Sequence, residues 1–223
     1  METVLFILLA AVGIGLAIYF ASLRRKKLTA WAGSRGLSFE SGHDRSFDER
    51  YAFRCLQQGR SRSAYNIMRG TIDGHALTAF DYRYVTGSGK NRRTHTFSAV
   101  IVRSRVQLKP LRIRAENVFD KLADFFGAGD IDFESAEFSR AYHVKAPDKR
   151  WAYDVLHQRA IEFLLSRPRF SMEMGADEMI VWRNGTFSPE RFEEAIEVGG
   201  GLLDRLPGYI TRAESPDRRG GET

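Results

Sequence analysis

The reading of the fold begins at residues 63–104, "SAYNIMRGTIDGHALTAFDYRYVTGSGKNRRTHTFSAVIVRS". Three runs rich in Tyr, Phe, Val, Ile and Thr are separated by "DG" at 73–74 and "GSGKN" at 87–91. Asp-Gly is a strong hairpin signal because a tight two-residue turn needs positive φ at both positions. The pattern predicts an antiparallel meander with strands near 63–72, 75–86 and 92–103. In the middle strand Phe80, Tyr82 and Tyr84 share one face, and Asp81 and Arg83 share the other.

Working towards the carboxyl terminus, "LRIRAE" alternates, with Leu111 and Ile113 inward and Arg112 and Arg114 outward. The segment 116–127 reads as a helix with Val118, Leu122 and Phe125 or Phe126 on one side. "EFSRAYHVKAP" (137–147) reads as extended. "DKRWAYDVLHQRAIEFLLSR" (148–167) reads as one long helix, capped by Asp148, that buries Trp151, Val155, Ala160, Phe163 and Leu164. A second hairpin is expected around 175–177. A helix follows with Ser188 as cap and Pro189 in its first turn, interrupted at the three glycines 199–201. Residues 213–223 are polar and glycine-rich, a disordered tail.

Towards the amino terminus, "SFDERYAFRCLQQGR" (46–60) has the spacing of an amphipathic helix of about ten residues ended by Gly59. "LTAWAGSRGLSFE" (28–40) predicts a short helix with Trp31 on its apolar side and Gly36 as its stop. Before it lie twenty residues without a charge, 4–23, then Arg24, Arg25, Lys26 and Lys27. At about 1.5 Å per residue such a run matches the roughly 30 Å apolar layer of a bilayer. Only Met1, Glu2 and Thr3 precede it, which is not the basic start of a cleavable signal peptide. Basic flanks stay on the cytoplasmic side. The expectation is a single-pass anchor over 1–27, amino terminus outside, with a cytoplasmic domain over 28–212.

Charge and composition narrow the function. The 43% hydrophobic share is that of a folded domain. The net charge of +6 looks nucleic-acid-like, but residues 1–27 carry +3 of it, so the rest is nearly balanced. No nucleic-acid partner is expected. The single cysteine, Cys55, cannot form an internal disulfide and reads as a buried apolar residue.

Three groups could carry chemistry. Asp130, Asp132, Glu134 and Glu137 form an acidic cluster suited to a hard cation, although the calcium-loop pattern is absent. A two-residue turn at Asp73 and Gly74 pairs Ile72 with His75 and hence Asn66 with Asp81, and Arg83 completes a polar group. The basic tip Lys90, Arg92 and Arg93 could meet anionic lipid or nucleic acid. The histidines do not assemble: His95 is expected across from about Tyr82 and His75 across from about Val102, more than 20 Å apart at roughly 3.3 Å per strand residue. With no G-x-G-x-x-G, P-loop or G-x-S-x-G motif, no cofactor is implied.

The segments "RGTIDGHALTAFDYRY", "DIDFESAEFSRAYHV" and "DKRWAYDVL" together resemble an uncharacterised bacterial family of membrane-anchored α+β domain proteins with no assigned activity. The matching positions are Gly70, Gly74, Phe80, Asp81, Tyr82, Asp130, Asp132, Glu134, Ser135, Phe138, Val144 and Asp148, within roughly residues 45–210. The resemblance implies a domain that often follows an amino-terminal membrane helix, and no mechanism. The expected fold is α+β: a mainly antiparallel sheet with helices on one face. The expected role is membrane-tethered protein or ligand binding, with membrane lipid reached through the anchor and a protein partner; the alternatives are a divalent-metal enzyme using the 130–137 carboxylates and lipid or nucleic-acid contact through 90–93.

Overall fold

The structure, a computed structural model, describes residues 2–116 and 131–212, with the side chains of 2–5, 7–10 and 212 left outside that description. The helix expected over 116–127, from its second residue on, the residue Asp130 and the tail at 213–223 fall outside the described residues. The chain is α+β, built on one eight-stranded antiparallel sheet.

The meander forms as expected. Strands β2 (Arg60–Ile72), β3 (His75–Thr86) and β4 (Arg93–Arg103) follow a short β1 (Ser38–Glu40). Asp73 and Gly74 both take positive φ, at 50° and 79°, and Ile72 pairs with His75. Uniform register holds only as far as Met68 opposite Ala79. A bulge then inserts Asn66, at φ 48°, so that Tyr65 and not Asn66 stands opposite Asp81. Asparagine tolerates this left-handed conformation better than most residues, and a bulge turns the strand to re-aim a side chain. The next hairpin is also shifted from expectation: Tyr84 faces His95 and Leu77 faces Val102.

The sheet continues through β8 (Glu178–Asn184), β7 (Ser171–Met174), β5 (Leu111–Ala115) and β6 (Tyr142–Lys145), in the spatial order β1-β2-β3-β4-β8-β7-β5-β6. The hairpin at 175–177 and the alternation of β5 are as the sequence predicts, with Leu111 and Ile113 buried.

Helix α1 (Glu2–Ser34) is one continuous rod from the uncharged run into the core, where Leu28, Trp31 and Ala32 are buried. It ends at Gly36, φ 69°, where the Leu37 N–H donates to the Ala32 carbonyl and the Gly36 N–H to that of Gly33. This is the Schellman arrangement that a glycine after the helix permits. Among the described residues no helix is long and apolar enough to cross a membrane. The fold thus shows a helix through this run and not a membrane around it.

Several expected helices are recut by tertiary packing. The ten-residue helix over 46–60 is instead α2 (Phe47–Arg50), an extended Tyr51 and a 3-10 turn (Arg54–Gln57). The break lets Phe47, Phe53 and Leu56 all reach the sheet; the Phe47 and Phe80 ring centroids are 4.4 Å apart, and the Tyr82 hydroxyl donates to the Leu56 carbonyl. The segment read as extended from 137 begins with α3 (Ala136–Ala141), because the Ser135 hydroxyl accepts the Phe138 N–H and caps a helix that buries Phe138. The long helix over 148–167 is two, α4 (Lys149–Val155) and α5 (Gln158–Leu165). Asp148 caps the first as predicted, and all five expected side chains are buried. The joint is His157, extended in backbone, whose Nε2 lies 2.9 Å from the Arg205 carbonyl.

Helix α6 (Pro189–Leu203), capped by Ser188 and followed by α7 (Gly208–Arg212), runs unbroken through the glycines expected to interrupt it. They are packing surfaces. A Cβ on Gly199 would come within 2.9 Å of a Val102 methyl, one on Gly200 within 3.1 Å of the His75 ring, and one on Gly201 within 2.5 Å of the Phe163 ring. Glycine costs about 1 kcal/mol in a helix, which close packing on three sides offsets.

Helices α1 and α3–α6 thus gather on one sheet face, over a core that includes Met68, Leu77, Val100, Val181 and Phe192. The opposite face of β2–β4 is covered by residues 41–59, around Phe47, Leu56, Phe80, Tyr82 and Phe97.

Candidate functional site

Two predicted groups, the basic flank and the hairpin's polar rung, meet in space. Asp81 is fully buried on the sheet face beneath α1. Arg24 Nη1 and Nη2 donate to its two carboxylate oxygens at 2.7 and 2.9 Å, a bidentate pair. Asn66 Nδ2, re-aimed by the bulge, donates to the same carboxylate at 2.8 Å, and the Ser98 hydroxyl donates to it as well. Arg24 also donates from Nε and Nη2 to the Phe187 carbonyl, and the Phe187 N–H donates to Ser98 Oγ. A buried carboxylate surrounded by four donors is fully compensated, whereas loss of one partner would strand a charge. Asn66 Oδ1 has no hydrogen-bond partner among the described residues.

A second clamp holds α1 further along. Trp31 stacks on Phe192, and both the Trp31 indole N–H and the Arg35 guanidinium donate to Glu193 Oε1 on α6. These two donors hold the Glu193 carboxyl below the usual glutamate range.

The third expected member of the polar group, Arg83, is not part of it. It is exposed, and the guanidinium that satisfies Asp81 comes from Arg24. Arg83, Arg45 and Arg25 instead sit around His43, whose pKa is lowered by burial and by these three positive charges. Arg25, Lys26 and Lys27 are exposed. Lys90, Arg92 and Arg93 are exposed at the tip of the β3–β4 hairpin. Asp132, Glu134 and Glu137 are exposed around the start of α3. Among the described residues no three His, Cys, Asp or Glu side chains are grouped to hold a metal. Cys55 is buried, and that burial pushes its thiol pKa well up.

Sequence reasoning missed a cleft of about 470 Å³ on the sheet face opposite α1 and α3–α6. Its floor is β8, β7 and β5; its wall is the segment 54–59, with Thr86 at one end. Alternation along the strands aims Arg112, Arg114, Glu173, Ser171 and Trp182 into this face, and Arg112 stands directly opposite Glu173. Glu173 accepts the Arg54 backbone N–H, and burial raises its pKa above the ordinary glutamate value despite Arg54 and Arg112 nearby. The outward arginines of "LRIRA" were the visible signal; that 54–59 would rise beside them was not.

A comparison with protein-family models finds no match, and none of the curated proteins matches in sequence. Among solved structures the chain is similar to the mycobacterial trehalose monomycolate transport factor A, TtfA, with a TM-score of 0.61 and 15% identity, over 81% of this chain and 93% of that one. At that identity the likeness is one of fold.

Proposed function

We propose that the chain is a membrane-tethered, non-enzymatic binding module, its amino terminus outside and its α+β domain held against the cytoplasmic face to bind a partner there. The observation that carries this reading is the Arg24–Asp81 pair. The first cation after the uncharged run is committed to the domain core, so α1 enters the domain as a rigid stem and not as a loose linker. A flexible tether would need no such buried, fully hydrogen-bonded ion pair. The exposed Arg25, Lys26 and Lys27, joined by Arg45 and Arg83 from the domain, supply positive charge for anionic headgroups at about 1 kcal/mol per charge. That a protein sharing this fold is described as a transport factor supports a binding role tied to transport.

The test is fractionation of the full chain with a reporter fused after Thr223. The protein is expected to stay in the membrane pellet through alkaline carbonate washing, with the reporter inactive outside the cytoplasm. Release by carbonate, or a reporter active only outside, would overturn the reading.

A further inference from the structure

We propose that the cleft on the open sheet face binds a small anionic molecule carrying a flat apolar group, its phosphate or carboxylate on Arg112 and Arg54 and its ring against Trp182. The inference rests on the binding-module reading but not on the anchor. The cleft's volume of about 470 Å³ falls in the range of small-molecule sites, roughly 300–1,000 Å³. Its charge is unbalanced: among the described lining residues Arg54 and Arg112 face the single carboxylate of Glu173. The Arg112 guanidinium makes no hydrogen bond or ion pair within the range of one among the described residues, and Glu173 is instead tied to the Arg54 backbone. A half-buried guanidinium with its donors unspent is suited to bidentate capture of an oxyanion. Trp182 is half-buried, packed at a tilt of 55° against Phe97 with ring centroids 5.6 Å apart, and lines the cleft, where an aromatic side chain accepts a planar group by stacking. Glu173 shapes selectivity: its charge opposes a second anion beside the first, while its oxygens can accept a hydroxyl or amine from the ligand.

The experiment is calorimetric titration of the full chain, in neutral-detergent micelles, with phenyl phosphate, inorganic phosphate and benzyl alcohol. Phenyl phosphate is expected to bind saturably, and each half-probe about tenfold more weakly or worse, as loss of a charged hydrogen-bond set or of a stacked ring requires. Arg112→Gln should weaken phenyl phosphate about tenfold and Glu173→Gln should tighten it, opposite effects that a general loss of folding cannot produce. Absence of saturable binding, equal binding of benzyl alcohol, or titrations unchanged by both substitutions would overturn the site. Because membrane fractionation is read separately, an empty cleft would leave the tethered-module proposal standing.

Discussion

The two halves of the sheet are finished differently. In β2–β4 both faces are covered, by α1 and α6 on one side and by residues 41–59 on the other, and β3 is buried almost continuously from Leu77 to Tyr82. In β5 burial alternates strictly, and Arg112 and Arg114 stand on the face opposite α1 and α3–α6. The closed half buries Asp81 completely and matches it from a helix 57 positions away. The open half keeps its charges at the cleft. A sheet closed on both sides serves to hold the stem; one left open on one side can present a surface to a ligand.

The sharpest way to break this contrast is in the closed half. Asp81→Ala leaves the Arg24 guanidinium and the Asn66 and Ser98 donors without their shared acceptor, and should cost about 3–5 kcal/mol in denaturant unfolding. Arg24→Ala should cost a similar amount, and the double variant clearly less than the sum. If the two effects simply add, the pair is not a unit. Gly199→Val comes next: a side chain driven towards Val102 and Val181 should cost about 1–3 kcal/mol in spite of its better helix propensity. A smaller effect is expected at the cap of the same helix, where Ser188→Ala removes the acceptor of the Arg191 N–H for about 1 kcal/mol.

The open half should respond weakly and with the opposite sign. Burial raises the Glu173 pKa in the folded chain, so the native state favours the protonated acid. Native Glu173 therefore loses stability as pH rises from its unfolded value near 4.5 through the raised folded one. Glu173→Gln, which cannot ionise, should match the native chain below that window and exceed it by about 0.5 kcal/mol near neutrality, measured as unfolding midpoints across pH. A variant that is less stable at neutral pH would mean that the carboxylate is held by more than Arg54 and Arg112.

Much of the local structure was legible because its causes are local. The Asp73–Gly74 turn, the Ser188 and Asp148 caps, the glycine stop at Gly36 and the alternation of "LRIRA" each follow from a few adjacent residues. What was not legible depends on distant partners. The bulge at Asn66 is invisible in a pattern of period two, yet it aims the amide at Asp81. Arg24 reads as a membrane-flanking charge because the sequence cannot show the carboxylate waiting for it. The glycines of α6 read as breakers until Val102, His75 and Phe163 are placed against them. The cleft needs both the strand order and the fold of 54–59, neither of which any motif encodes.

The central claim is that stem and domain move as one body, and a pair of spin labels tests it most directly. Ile18 on α1 and Arg103 on β4 are both exposed, and Cys55, the one native thiol, is buried, so cysteines at the two positions can be labelled selectively. The full chain in lipid nanodiscs should give a single narrow distance distribution by pulsed electron resonance, broadening when Asp81→Asn weakens the latch. A broad distribution already present in the native chain would contradict the account: the helix would then be a leash, and the Arg24–Asp81 pair would not set where the domain stands.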